Sequence, residues 1–124
     1  MTTPTELRTK LKEGVIAFPI TPFNEDLSLN LEGLRHNLTK LREHPLCAVV
    51  AAGGTGEVYS LTPAEYDAVV RLTVDVVNGS APVIAGVGFN QPLAVEMAKQ
   101  AAAAGADGIL ALPPYYPNAD DEGM

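Results

Sequence analysis

Four runs of apolar residues alternate with longer segments of helical periodicity along this chain. The runs lie at 15–18, 47–52, 82–87 and 107–112. After the first run, four leucines recur at spacings of 3, 4 and 3, as on one face of a helix: Leu31, Leu34, Leu38 and Leu41. Because the runs are nearly continuous and do not alternate, the pattern predicts buried strands of a parallel sheet covered by helices. The expected order is a short N-terminal helix followed by β-α-β-α-β-α-β.

Capping residues mark where the predicted helices begin and end. The segment Thr62–Glu65 combines a capping box with proline at the first helical position, so a helix is expected from there to Asn78. Asn90 is the expected N-cap of a helix over 91–104. Gly105 then occupies the position where glycine commonly ends a helix.

The spacing of the strands indicates the architecture. Their starts at residues 15, 47, 82 and 107 lie 32, 35 and 25 residues apart, and a (β/α)8 barrel uses about 30 residues for each unit. Residues 1–124 are therefore expected to form a single α/β domain, the N-terminal half of a (β/α)8 TIM barrel with four parallel strands and an N-terminal capping helix. A small doubly wound sheet is the alternative.

The residues after the fourth run suggest that the expected barrel is incomplete. Asp120, Asp121 and Glu122 are typical of the first turn of a further helix. We therefore expect the chain to be a piece of a longer protein, truncated before that helix. The inward face of the strands and the two outer strands should then lack part of their cover.

Composition and charge exclude several classes of function. The 124 residues include 8 Lys and Arg against 15 Asp and Glu, a net charge of −7, and a nucleic-acid binder would need a basic stripe. No apolar stretch reaches the roughly 18 residues of a membrane span. The single cysteine, Cys47, cannot form an internal disulfide, and no Cys/His cluster has metal-ligand spacing. These features predict a soluble, cytoplasmic protein with no metal, no nucleic-acid partner and no membrane partner.

Candidate chemistry lies in the loops that follow the strands, where parallel α/β folds place their sites. The loops are 19–23, 53–57 and 113–116. In the second, Gly53, Gly54 and Gly56 would let amides approach a carboxylate or phosphate, and Thr55 adds a hydroxyl. The alternative is a tight turn that needs glycine torsions only. Glu57 could act as a general base, although we expect its carboxylate to accept hydrogen bonds within its own loop.

Other chemistry-bearing residues are weaker candidates. Tyr115 and Tyr116 follow a double proline, and either could face the core or the mouth of the site. His36 and His44 are expected at the surface and Cys47 as a small buried hydrophobe. The four lysines fall on predicted helices, so none is placed to form a Schiff base: Lys10, Lys12, Lys40 and Lys99.

These loops, in this order, resemble the dihydrodipicolinate synthase/N-acetylneuraminate lyase superfamily of Schiff-base-forming lyases. The resemblance rests on four segments, Gly14–Phe23, Gly53–Glu57, Pro82–Gly88 and Pro113–Tyr116. Synthases carry two threonines in the glycine loop and neuraminate lyases a Ser-Thr pair, whereas the first of these positions is Gly54 here. The amino-acid sequence of residues 51–62 is similar to that of a dehydratase branch of the superfamily.

The resemblance implies a complete barrel, usually a tetramer, that uses no metal or organic cofactor. It implies that Gly53, Gly54 and Thr55 bind the substrate carboxylate and that Tyr116 is catalytic or lies at a dimer contact. The Schiff-base lysine would lie beyond Met124, so residues 1–124 alone should be inactive. For the dehydratase branch, the implied substrate is a sugar diacid that loses water and CO2. The alternatives are another pyruvate-dependent aldolase or synthase, and an inactive half barrel that associates with itself.

Overall fold

The helices and strands of the computed structural model follow the order expected from the apolar runs. The structure describes residues 2–113. Its elements are α1 Pro4–Lys10, β1 Val15–Ala17, α2 Leu31–Leu41, β2 Leu46–Ala51, α3 Pro63–Val77, β3 Val83–Val87, α4 Gln91–Ala104 and β4 Gly108–Ala111. A short 3-10 turn at Val58–Ser60, which the sequence did not predict, precedes α3.

The four strands form one parallel sheet in the order β1-β2-β3-β4. Val49 of β2 lies opposite Val83 of β3, and Ile84 of β3 lies opposite Gly108 of β4. Each strand therefore pairs with its neighbours in sequence, with a helix crossing between them. This arrangement confirms the predicted half of a (β/α)8 barrel.

The predicted caps are present at the helix ends. The Thr62 hydroxyl accepts from the amide of Glu65, whose carboxylate accepts from the Thr62 amide in return. Asn90 caps α4 through the amide of Leu93. Gly105 ends that helix in the left-handed region, at a φ of 94°. These local hydrogen bonds fix where each helix starts and stops.

The core lies mainly between the sheet and the helices. Val49 and Ala85 point from the sheet into this layer, where they join Leu38 of α2 and Val70 of α3. A second, smaller cluster lies on the opposite face of the sheet, and it contains Ala48, Val50 and Ile84, with Leu11 and Leu110 packed against it. The inward face of the central strands is therefore already covered, contrary to the expectation from the sequence.

The first strand is less buried than its apolar run predicts, in agreement with the expectation that the outer strands lack part of their cover. Val15 is 63% exposed and Ile16 is 38% exposed, because β1 is an edge strand that pairs with β2 alone. At the opposite edge, Ile109 of β4 is 52% exposed. The uncovered apolar surface of the sheet thus lies at its two edges.

Asp107 links the N-terminal segment to the amino end of β3 through hydrogen bonds. Its two carboxylate oxygens accept from the amide of Thr2 at 2.6 Å and from the amide of Val83 at 3.0 Å. Burial alone would raise the pKa of the Asp107 carboxyl, but these backbone hydrogen bonds outweigh it and lower the pKa below its ordinary value. The ionised form therefore holds the N-terminal segment beneath β3 and β4.

Residues 2–113 contain no helix with the length and apolar character that crossing a bilayer requires.

Candidate functional site

The glycine loop after β2 has a backbone shape that ordinary residues rarely adopt. It is flanked by Ala52 and Glu57, whose φ angles are 48° and 54°. A non-glycine residue in this left-handed region costs on the order of 1 kcal/mol or more. One such residue on each side of Gly53–Gly56 shows that surrounding contacts determine the shape of the loop.

Hydrogen bonds inside the loop leave a set of donors available. The amide of Glu57 donates to the Gly54 carbonyl at 3.0 Å, and the amide of Val58 donates to the Gly53 carbonyl at 3.2 Å. The amides of Gly54, Thr55 and Gly56 donate to no residue within 2–113. Because Gly54 and Thr55 are also exposed, this part of the loop can bind an anion through backbone amides and a hydroxyl.

The glycines of the loop differ in the space around them. A β-carbon at Gly53 would lie 2.9 Å from Cγ1 of Val50 and 3.3 Å from the ring of Phe18. A β-carbon at Gly56 would lie 3.2 Å from the Ala52 α-carbon, whereas one at Gly54 would meet nothing within 4 Å. A side chain at Gly53 would therefore displace its neighbours, and one at Gly56 would press tightly against backbone atoms. Gly54 instead leaves open space beside Thr55.

The structure adds a contact that the sequence analysis missed. The hydroxyl of Thr21, in the loop after β1, donates to the Gly56 carbonyl at 2.7 Å. Thr21 is only 8% exposed, and it lies between two prolines in the sequence. A polar residue held in a proline-bounded loop after a strand was the available signal. The contact joins the first two loops at the carboxyl ends of the strands.

The third strand also supports the glycine loop. A β-carbon at Gly86 would fall well inside van der Waals contact with the carbonyl oxygen of Ala52. The glycine in β3 therefore makes room for the turn that opens the loop. Nearby, the rings of Tyr59 and Phe89 pack edge to face, with centroids 4.8 Å apart.

Glu57 does not have the contacts expected of it. Its side chain is exposed and makes no hydrogen bond to another residue in the described part of the chain. The expectation that it accepts within its own loop is wrong, since it makes no side-chain cap hydrogen bond at the start of the 3-10 turn either.

The lysines lie on or next to helices, as the sequence predicts. Lys10 belongs to α1, and Lys12 lies just after this helix instead of within it. Lys40 and Lys99 pair with carboxylates on or beside their own helices, at 3.3 Å and 2.8 Å. Each of these two ammonium groups therefore has an anionic partner within the described part of the chain.

The remaining candidates have mixed outcomes. Cys47 is buried and both His36 and His44 are exposed, as predicted. Tyr115 and Tyr116 lie outside the described residues, so the catalytic role of Tyr116 stays a prediction. Over residues 2–113, no three side chains of His, Cys, Asp and Glu gather as ligands of a metal ion.

Curated relatives share most of this chain. A protein of Methylobacterium radiotolerans named "Probable 5-dehydro-4-deoxyglucarate dehydratase" is 48% identical over 122 residues, which are 98% of this chain and 40% of that protein. A protein of the same name from Pseudarthrobacter chlorophenolicus is 49% identical over the same shares. The chain thus spans about 40% of the length of these curated relatives.

Solved structures match the fold. Dihydrodipicolinate synthase from Bacillus clausii superposes with a TM-score of 0.83 at 32% identity, covering 89% of this chain and 38% of that one. The enzyme from Oceanobacillus iheyensis gives a TM-score of 0.84 at 32% identity and covers 94% and 40%. These barrels confirm the architecture of the four described strands.

The sequence itself matches a known family over almost its whole length. Residues 11–124 fit the sequence model of the dihydrodipicolinate synthetase family, and the matched part includes the glycine loop and the loop that contains Thr21. The resemblance that the four loop segments indicated, to the dehydratase branch in particular, is confirmed by the relatives. The chain belongs to the dihydrodipicolinate synthetase family.

Proposed function

We propose that this chain supplies the carboxylate-binding part of a lyase that converts 5-dehydro-4-deoxy-D-glucarate to 2,5-dioxopentanoate, CO2 and water. The observation behind this proposal is the fixed glycine loop at the carboxyl end of β2. Its exposed Gly54 and Thr55 offer amides that donate to no other described residue. The names of the curated relatives support the choice of substrate.

In this proposal, Gly53, Gly54 and Thr55 hold one carboxylate of the substrate. The amides of Gly54 and Thr55 and the Thr55 hydroxyl donate to its oxygens, and charge-assisted hydrogen bonds of this kind are about twice as strong as neutral ones. Gly53 contributes by close packing, since a side chain there would collide with Val50. The open space at Gly54 leaves room for the substrate where synthases of the superfamily carry a hydroxyl.

The remaining chemistry is assigned to residues outside the described part. The family resemblance implies a lysine that forms an imine with the keto group of the substrate. The imine accepts the electron pair of an adjacent C–H bond, and the enamine so formed expels hydroxide, which takes up a proton and leaves as water. It accepts a second pair, through the new double bond, when the C–C bond to the carboxylate breaks and CO2 leaves. Tyr116 is proposed to act near this centre. The second carboxylate needs cationic partners, which we also place outside residues 2–113.

The proposal also covers the assembly, location and ligands of the whole protein. We propose a cytoplasmic homo-oligomer, a tetramer, with a small sugar diacid as its substrate and no organic cofactor or metal. A pyruvate-dependent synthase is the alternative. The open position of Gly54 favours the dehydratase, because the hydroxyl of the synthase loop is missing there.

The deciding experiment is an assay of the whole protein that contains this chain. With 5-dehydro-4-deoxy-D-glucarate we expect stoichiometric release of CO2 and 2,5-dioxopentanoate. Thr55→Val should lower kcat/KM by about 100-fold, the scale of losing one hydrogen bond to a charged group, and Thr55→Ser should retain most of kcat/KM. Thr39→Val is the control, because the Thr39 hydroxyl donates within α2, to the Arg35 carbonyl.

Two results would contradict the proposal. Turnover of pyruvate with an aldehyde, and none of the diacid, would assign the chain to the synthase alternative. An unchanged kcat/KM in Thr55→Val would show that the glycine loop does not bind the substrate.

A further inference from the structure

Thr21 and Thr73 are the two buried polar residues of the described chain, at 8% and 0% exposure. The hydroxyl of Thr73 donates to the Val69 carbonyl one turn back in α3, a bond within a single helix. The hydroxyl of Thr21 donates instead to Gly56, which is 35 residues away in the glycine loop. Only Thr21 links two loops at the carboxyl ends of the strands.

The Thr21 contact completes the bonding of one particular peptide unit. The carbonyl of Gly56 accepts from Thr21, and the N–H of the same peptide unit, which belongs to Glu57, donates to the Gly54 carbonyl at 3.0 Å. Both polar atoms of this unit are therefore satisfied. The left-handed backbone of Glu57, with a φ of 54°, follows directly. Strain of this kind persists only where surrounding contacts determine it.

We propose that Thr21 is a positioning residue for the carboxylate-binding loop. It does not touch the substrate. Its hydroxyl fixes the peptide between Gly56 and Glu57, and this holds the preceding amides of Gly54 and Thr55 in place for the carboxylate. The inference rests on the proposed function for the ligand, but its geometric part concerns this chain alone.

A valine at position 21 would have nearly the same volume and no donor. The buried carbonyl of Gly56 would then lose its partner, and an unpartnered buried carbonyl is unfavourable. Rotation of the peptide unit would relieve this cost and turn Glu57 out of the left-handed region. The donors of Gly54 and Thr55 would move with it.

The test compares Thr21→Val, Thr21→Ser and Thr73→Val in the whole protein. Thr21→Val should raise KM for the diacid by about tenfold, the scale of one misplaced hydrogen bond, with kcat within about twofold, since a carboxylate held equally before and during reaction affects KM alone. Thr21→Ser restores the hydroxyl and should restore KM. Thr73→Val removes a comparable buried hydrogen bond away from the loop and should leave KM unchanged.

A second measurement needs no substrate. In the ligand-free protein, the ¹⁵N amide shift and the HN–Hα coupling of Glu57 report its backbone angle. Both should change in Thr21→Val and return in Thr21→Ser. An unchanged Glu57 in Thr21→Val would overturn the proposal, as would an equal rise of KM in Thr73→Val. If the wild type does not convert the diacid, the proposed function fails, and the Glu57 measurement alone decides the role of Thr21.

Discussion

The carbonyl oxygen of Ala52 occupies the space that a side chain would need at Gly86 of the neighbouring strand. Ala52 itself is held in the left-handed region, at a φ of 48°, as the chain leaves β2. The turn that opens the glycine loop therefore depends on the absence of a side chain in β3. A residue 34 positions away in the sequence thus controls the shape of the loop.

Gly86→Ala should destabilise the fold, whereas Gly54→Ala should not. A β-carbon at Gly86 must displace backbone, and overpacking of this kind costs about 1–3 kcal/mol or more. A β-carbon at Gly54 meets nothing within 4 Å, so its effect should stay within about 0.5 kcal/mol. Urea unfolding of the two variants measures the difference. Equal stability of the two would contradict the close approach of Ala52 to β3.

Asp107→Asn should weaken the fold at neutral pH by about 1 kcal/mol, the scale of one hydrogen bond. The pKa of this carboxyl is lowered in the folded state, so its contribution is present above its ordinary pKa and is lost as the pH falls below about 4. The difference in unfolding free energy between the wild type and the variant should therefore disappear at acid pH. Unfolding free energies measured from neutral to acid pH check this. A difference that stays constant with pH would indicate that the charge of Asp107 does not contribute to stability.

A polypeptide of residues 1–124 alone should not form a covalent imine with the substrate. Its lysines lie on or next to helices, and Lys40 and Lys99 are paired with nearby glutamates. Borohydride reduction in the presence of the diacid or of pyruvate, followed by mass spectrometry, is the measurement. A substrate-dependent adduct on any of the four lysines would place the reactive amine within this chain.

The same polypeptide should associate through its sheet edges. Ile16 on β1 and Ile109 on β4 are 38% and 52% exposed, and open strand edges pair readily with other chains. Ile16→Lys and Ile109→Lys should each shift the sedimentation coefficient towards that of a monomer. Val95→Lys is the matched control, since Val95 is 46% exposed on helix α4. An equal effect of all three would indicate general solubility instead of edge pairing.

Elements whose signals are local were predictable from sequence. Thr62, Asn90 and Gly105 cap helices through neighbours within a few residues, and the structure has the caps at those positions. Exposure of β1 followed from the expected half barrel, in which it is an outer strand, and not from its composition. Val15 and Ile16 are as apolar as the residues of β2, and their burial depends on how many strands flank them.

The position of the candidate site was predictable from the sequence, but its backbone conformation was not. Strand ends and glycines located the loop at Gly53–Glu57. Its left-handed residues gave no signal, since neither alanine nor glutamate favours that region. The Thr21 contact also depends on tertiary structure, because it joins loops that are far apart in sequence. Packing between units determines these features, and a local pattern does not encode them.

The strand order has a consequence for how the chain assembles during synthesis. Each strand pairs with the one made just before it, so a nascent chain can add one β-α unit at a time to an edge that is already in place. Each added strand then closes a loop of one helix and its connections, which is the shortest closure that a parallel pair allows. The Thr21 hydroxyl can meet Gly56 once β2 and the loop after it have emerged. The turn at Ala52 reaches its final position only when β3 has also paired with β2, because the Ala52 carbonyl packs against Gly86.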